Sequence, residues 1–309
     1  MSIKVCIISP ASHLEQFSSL GDCEMSLSHL VVQDAGFHHS DYVKQNYVKY
    51  YKQKAAEGKW VILDNSAYEI GRLESNNATG RGLGPDIVLK AAEIIKPSIV
   101  IAQDVLCDRE ATKQSTLDFI KYVKQKGLFG KFQLMGVAQG KTQDEWLESY
   151  TDLYNMPEIN QIGFSKVSVP LCFGGNQQTS GCIAEARLKC TQIVDTNFKY
   201  SRYDTQFGEK FSLHSILGPK PAHLLGGDNH LPWELSQQRK YQWIFSNDSS
   251  AVVQYGIHNQ MFAATTGQIE NIITAKPDLE NNNLHTAFLL ETYSNHILHN
   301  IATLHKMSK

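Results

Sequence analysis

The chain has 309 residues, 42% hydrophobic and 19% charged, with a formal net charge of −2. That composition belongs to a globular protein, and the charge lacks the basic excess usual in nucleic-acid binders, so only a local patch would serve a polymer. No apolar run reaches the roughly 18 residues a membrane span needs, and about 250 residues suffice for one α/β barrel.

The start, MSIKVCIISP, has too short an apolar stretch for a signal peptide and enters a strand directly, so a cytoplasmic protein is expected. Apolar runs at 3–8, 27–32, 60–64, 98–104, 132–139, 160–166, 222–227 and 241–247 are β-branched and continuous rather than alternating, as parallel strands buried on both faces are. Helical patterns lie between them. Residues 85–96 open with Pro85 near the first turn, 142–154 open with Thr142 as N-cap and Glu145 three later, and 109–126 and 181–194 follow. This alternation predicts a single (β/α)8 TIM-type barrel over 1–309, with an insertion after strand six at about 170–221 and a C-terminal helix at about 285–307. Residues 265–284 read as a polar loop. The last helix carries Leu289, Leu290, Ile297, Ile301 and Leu304 near one face.

The six cysteines, at 6, 23, 107, 172, 182 and 190, include no CxxC pair and are expected to be reduced. Cys172, Cys182 and Cys190 match no zinc spacing, so no metal and no other cofactor is expected.

Polar residues gather at the predicted strand ends: Asp64, Asp104, Gln139-Gly140, Ser165-Lys166, Gly226-Gly227-Asp228 and Asp248. In such a barrel these ends line one mouth, where reactive groups sit. A single Asp after a strand is usually a helix cap or turn former, and Asp228, beside Asn229, His230 and Pro232, is read that way. Asp64, Asp104 and Asp248 together with Gln139 are read as a site. Paired carboxylates suit glycosidic chemistry, one attacking or stabilising the anomeric carbon and the other handling protons. A further Asp and Gln can bond a planar base edge, and Tyr68 can stack on it.

Over roughly 60–260 the sequence resembles the tRNA-guanine transglycosylases (queuine/archaeosine tRNA-ribosyltransferases), in particular the shorter relatives that insert 7-deazaguanines into DNA. "ILDNSAYEIG" is similar to the family's Asp-Ser-Gly-Gly-Phe-Gln segment, with Asp64 kept and Tyr68 at the aromatic position. "IAQDVLCD" resembles the strand bearing the base-recognising Asp, here Asp104. "MGVAQG" resembles Gly-Ile-Ile-Gln-Gly, which carries over Gln139 and Gly140. "GFSKVSVP" resembles the glycine strand, with Ser165 and Lys166 in place of glycines. "HLLGG" places Leu225 and Gly226 against the base, and "WIFSNDSS" offers Asp248 as nucleophile. The family's Cys-x-Cys-x-x-Cys…His motif is absent, Glu69 stands where a Gln is usual, and Asp248 lies two residues farther from its strand phenylalanine.

The resemblance implies base exchange through a covalent Asp248–sugar intermediate. Asp64 would be general base or support, Asp104 and Gln139 would hold the base, and Tyr68 and Leu225 would sandwich it. The implied partners are DNA (favoured over tRNA, since the zinc motif and any RNA module are missing), a free 7-deazaguanine base such as preQ0, and no membrane; a homodimer is compatible with the sequence. The 42–59 stretch alternates lysines, among them Lys44, Lys49 and Lys52, with Tyr42, Tyr47, Tyr50 and Tyr51. It is read either as a polymer-contacting face or as an amphipathic helix packing its tyrosines on the barrel. The stretch from Phe198 to Phe211, with Arg202, is a second polymer contact and a candidate lid. Two other classes stay open: a hydrolase of a free 7-deazapurine nucleoside and a non-catalytic base-binding protein.

Overall fold

The structure, a computed structural model, describes residues 2–32, 41–73, 80–174, 182–200, 218–228, 230–267, 269–271 and 291–309. Eight parallel strands form its centre: β1 (Lys4–Ile7), β2 (Glu24–Leu27), β3 (Val61–Asp64), β4 (Ile99–Ile101), β5 (Gln133–Ala138), β6 (Ile159–Ser165), β7 (Ala222–Leu225) and β8 (Ile244–Ser249). Their order, β1-β8-β7-β6-β5-β4-β3-β2, leaves β1 and β2 as the two edges. A parallel bridge between Cys6 and Cys23 brings these edges together, so the sheet is a nearly closed α/β barrel of TIM type.

The strands are apolar on both faces because both are buried. Met25, Ile62, Ile99, Ile101, Met135 and Val137 fill the barrel interior. The opposite faces pack under a layer of helices: α1 (Ser28–Val32), α2 (Asp41–Ala56), α3 (Ala67–Leu73), α4 (Pro85–Ile95), α5 (Arg109–Gln125), α6 (Gln143–Asn155), α7 (Ser168–Phe173), α8 (Cys182–Tyr200), α9 (Leu231–Gln238), α10 (Ala251–Ile257) and α11 (Ser294–Ser308). Capping follows the predicted signals. Pro85 opens α4, and the Thr142 hydroxyl accepts the Glu145 N–H at 3.2 Å to start α6. No described helix is long and apolar enough to cross a membrane.

Three expectations need correction, and one pair of open alternatives is decided. Strand two is Glu24–Leu27, and Ser28–Val32, read as strand, is helical. The apolar run outweighed a real strand whose first residue is a buried acid. Glu24 is tolerated there because the Tyr50 hydroxyl donates to it at 3.0 Å, although burial still pushes its carboxyl up to about 7. Second, Cys6 and Cys23 form a disulfide, with Cα atoms 4.8 Å apart, because adjacent strands at the seam present both to one buried space. Cys107, Cys172 and Cys190 are free. Third, Tyr47, Tyr50 and Tyr51 are buried and bonded to β2 and the residue-24 carboxylate, so the helix-packing reading of 42–59 is the correct one for them. Fourth, part of the polar 265–284 segment is a strand. β9 (Gln260–Phe262) and β10 (Ile269–Asn271) pair antiparallel, and 272–284 lies outside the described residues. The C-terminal helix buries Ile297, Ile301 and Leu304 as expected, while Leu289 and Leu290 lie outside the description. In the long segment after β6, α7 and α8 are described and 201–217, with Arg202, is not.

One buried ion pair holds the end of β7. Arg187 of α8 and Glu234 of α9 are fully buried and 2.6 Å apart, and the same guanidinium donates to the carbonyls of Leu225 (3.0 Å) and Gly226 (2.8 Å). Arg187→Met strands the Glu234 carboxyl in an apolar space and is expected to cost about 3–5 kcal/mol in urea unfolding. The double variant with Glu234→Leu is expected to regain most of that. A single variant as stable as wild type would remove the pair from the scaffold.

Candidate active site

A cavity of about 150 Å³ opens at the C-terminal ends of the strands. That is far more than the roughly 10–15 Å³ one water requires. Ile8, Met25, Val137 and Leu225 give it apolar walls, and Asp64, Glu69, Asp104, Gln139, Ser165, Lys166 and Asp248 give it polar ones. Every predicted site residue of the strand ends lines it except Gly140, and Tyr68 and Gly226 line it as well. Gly140 is set back because its backbone is engaged elsewhere. Its N–H donates to the Ser168 hydroxyl (3.0 Å), and a Cβ there would meet the Trp146 nitrogen at 2.6 Å.

Each carboxyl has a distinct environment. Asp104 sits three residues past β4 and is almost fully buried. Asn65 Nδ2 donates to its Oδ1 at 2.7 Å and Gln139 Nε2 to its Oδ2 at 2.6 Å. Both donors are themselves fixed. Asn65 also donates to the Ala102 carbonyl and accepts from the Ala67 N–H, and Gln139 Oε1 accepts from the Cys107 N–H. Burial raises the Asp104 carboxyl to about 6 and the two amide donors oppose it. Asp64, the last residue of β3, accepts a hydrogen bond on its carboxylate from the Ser66 N–H (3.0 Å) alone among the described residues. Burial, then Glu69, Asp104 and Asp248, push it well above the usual carboxylate range. Glu69 on α3 is raised too, first by burial and further by Asp248, and its Oε2 is buried without a partner among the described residues. Asp248 in β8 goes the other way. Burial pushes it up, but His223, the Gly226 N–H and Lys166 outweigh that, and its carboxyl lies below the usual value.

Local backbone produces these positions. Ser66 adopts φ +62, a left-handed conformation uncommon outside glycine, which turns the chain sharply from β3 into α3. Gly226 has φ +68, and a Cβ there would meet Lys166 Cδ at 2.5 Å. The Lys166 chain crosses that glycine and sets Nζ 4.1 Å from the centre of the Tyr68 ring, a cation–π contact at the rim.

Sequence reasoning missed Asn65 and His223. Asn65 sits inside the quoted "ILDNSAYEIG", and an amide beside a strand-end acid was the signal available. His223 is a polar residue inside the apolar run 222–227, fully buried in β7. Asp228 behaves as the turn former expected, accepting the His230 N–H at 2.9 Å. Lys49 and Lys52 face a separate groove with Val31, Val32, Lys90 and Ile94 and do not border the cavity. The Lys44 side chain and Arg202 lie outside the described residues. Among the described residues no three His, Cys, Asp or Glu side chains are grouped to hold a metal ion.

No family model matches the chain, and no curated protein does.

The raised Asp104 carboxyl has a consequence for stability. Its folded value, about 6, lies above the ordinary 3.8, so its contribution to stability is full below about pH 4 and is lost as pH rises through 6. Asp104→Asn cannot ionise. Between pH 4 and 7.5 the wild type is therefore expected to lose about 2–3 kcal/mol relative to the variant in parallel denaturant titrations. A pH-independent difference would show that Asp104 titrates normally.

Proposed function

We propose that this cavity carries out base exchange at a glycosidic carbon, replacing guanine in a polynucleotide, DNA in preference to tRNA, with a 7-deazaguanine. The supporting observation is the division among acids in one cavity: Asp248 is held ionised, Asp64 is driven toward its protonated form, and Asp104 is held by two fixed amides. Environments that push neighbouring carboxyls apart assign nucleophile and proton carrier. The resemblance of the strand-end segments to the guanine transglycosylases adds the substrate class.

In this reading Asp248 attacks C1′ of the target nucleotide. The C1′–oxygen bond forms as the C1′–N glycosidic bond breaks, and the electron pair leaves with guanine, which takes a proton from Asp64. The incoming deazapurine gives a proton back to Asp64, and its nitrogen displaces the Asp248 carboxylate from C1′. Ionised Asp104 accepts from the ring N–H and exocyclic amine of either base. The remaining Gln139 N–H is available to the carbonyl, and Leu225 and Tyr68 wall the ring. A base in a duplex must leave the stack to enter such a cavity.

One observation favours a second reading, hydrolysis of a free 7-deazapurine nucleoside. Lys166 is the cation lining the cavity among the described residues, and Lys49 and Lys52 face elsewhere. A small uncharged substrate needs no basic track.

The deciding experiment incubates the protein with labelled guanine and duplex DNA, single-stranded DNA or tRNA, and separately with free nucleosides. Label is expected in DNA. Base release from nucleosides without label in any polymer would favour the hydrolase, and neither outcome would defeat both readings. Asp248→Asn is expected to abolish a denaturation-resistant protein–DNA adduct and lower exchange by on the order of a thousandfold or more, whereas Asp64→Asn, which cannot supply the proton to departing guanine, is expected to trap adduct slowly and fail to turn over. Mass spectrometry that places the sugar on Asp64 would reverse the two roles.

A further inference from the structure

His223 is a fully buried histidine behind the cavity, and the functional reading above gives it no role. Its Nε2 lies 2.9 Å from Asp248 Oδ1 and its Nδ1 2.7 Å from the hydroxyl of Ser246, also fully buried. The Gly226 N–H donates to the same Oδ1 at 2.9 Å. No described residue donates to Oδ2. An ionised Asp248 accepts a hydrogen bond from Nε2, and Nδ1 is engaged with the Ser246 hydroxyl on the other side of the ring. The chain Ser246–His223–Asp248 therefore joins two fully buried side chains to the carboxylate that borders the cavity.

The strands create this alignment through a slip in register. Ala222 pairs with Ile244, but His223 pairs with Ser246, so Phe245 is left over. Phe245 packs edge-on against Trp60 with ring centres 4.5 Å apart. Without the slip, His223 would stand beside Phe245.

We propose that His223 is the positioning residue of this site: with the Gly226 N–H it fixes Oδ1 of Asp248, Ser246 fixes the imidazole from behind, and Oδ2 is left as the oxygen that meets the sugar carbon. This rests on the reading of Asp248 as nucleophile. His223 does not line the cavity, so it acts through Asp248 rather than on substrate. Among the described residues, the charged and titratable groups facing Asp248 are His223 of β7, Lys166 past β6, Asp64 of β3 and Glu69 of α3. From β1 the residue in register is Cys6, which is disulfide-bonded and does not titrate. Of these groups His223 and Lys166 favour the ionised form.

The test labels aspartate carboxyl carbons with carbon-13 and follows the Asp248 resonance, assigned by its loss in Asp248→Asn, through a pH titration by NMR. His223→Leu is expected to raise its midpoint by a unit or more, and His223→Gln, which keeps an amide donor, to restore part of that. Adduct formation with labelled DNA is expected to slow by about a hundredfold in the Leu variant, with KM for guanine changed less than about twofold. An unchanged midpoint in His223→Leu overturns the proposal. If that variant does not fold by circular dichroism, Ser246→Ala takes its place. It is expected to give a smaller rise and a slower adduct, and no change in either would overturn the proposal equally. If wild-type protein forms no adduct with any polynucleotide, the transglycosylase reading fails, and the titration still decides whether His223 holds Asp248.

Discussion

Four carboxyl groups, Asp64, Glu69, Asp104 and Asp248, share one small cavity with a single lysine among the described residues. Water screens charges poorly in such a space, so these groups cannot all be ionised together. Much of the surrounding structure bears on which of them carries charge. Asp248 receives two donors on one oxygen and Asp104 one donor on each. Among the described residues, Asp64 receives one backbone N–H and Glu69 keeps a buried oxygen without a partner. Burial pushes all four upward, and the donors and nearby cations set against it decide how far each one moves.

Those N–H groups must themselves be held, and the barrel holds them from outside. The Gly226 amide faces Asp248 because Arg187 grips the carbonyls of Leu225 and Gly226 while its charge is balanced by Glu234, none of it exposed. Asn65 and Gln139 cannot rotate away from Asp104 without giving up the Ala102 carbonyl, the Ala67 N–H or the Cys107 N–H. Preorganised donors of this kind cost no rearrangement when a ligand's charge develops.

Most of the barrel was legible in the sequence because parallel strands buried on both faces must be apolar throughout. Seven of the eight runs fall on strands for that reason. The eighth failed where Glu24, satisfied by a tyrosine from α2, opens a strand that composition alone would reject. The tyrosines of 42–59 illustrate the same limit from the other side: their spacing fits stacking platforms as well as a helix face, and only burial separates the two. The strand-end acids were legible because a barrel gathers those ends at one mouth. His223 was not, since its role depends on a one-residue slip between β7 and β8 that no local pattern encodes. The disulfide likewise depends on which strands meet at the seam, and a separation of 17 residues carries no such information.

The hydrogen-bond networks around Asp104 and Asp248 share no residue. One is built on β3, β4 and β5 with neutral amides, and the other on β7 and β8 with an imidazole and a backbone amide. Amide donors leave a carboxylate able to accept further bonds from a neutral ligand, and Asp104 keeps lone pairs for that purpose. Both donors of Asp248 instead fall on a single oxygen, which leaves its twin without a donor among the described residues, the oxygen that in the proposed reading meets the sugar carbon. A ligand engaging both networks would therefore be polar and planar at one end and electrophilic at the other. Asp64, whose charge neither network supports, lines the same cavity, and in the proposed reading it is the group that exchanges protons with a ligand between them.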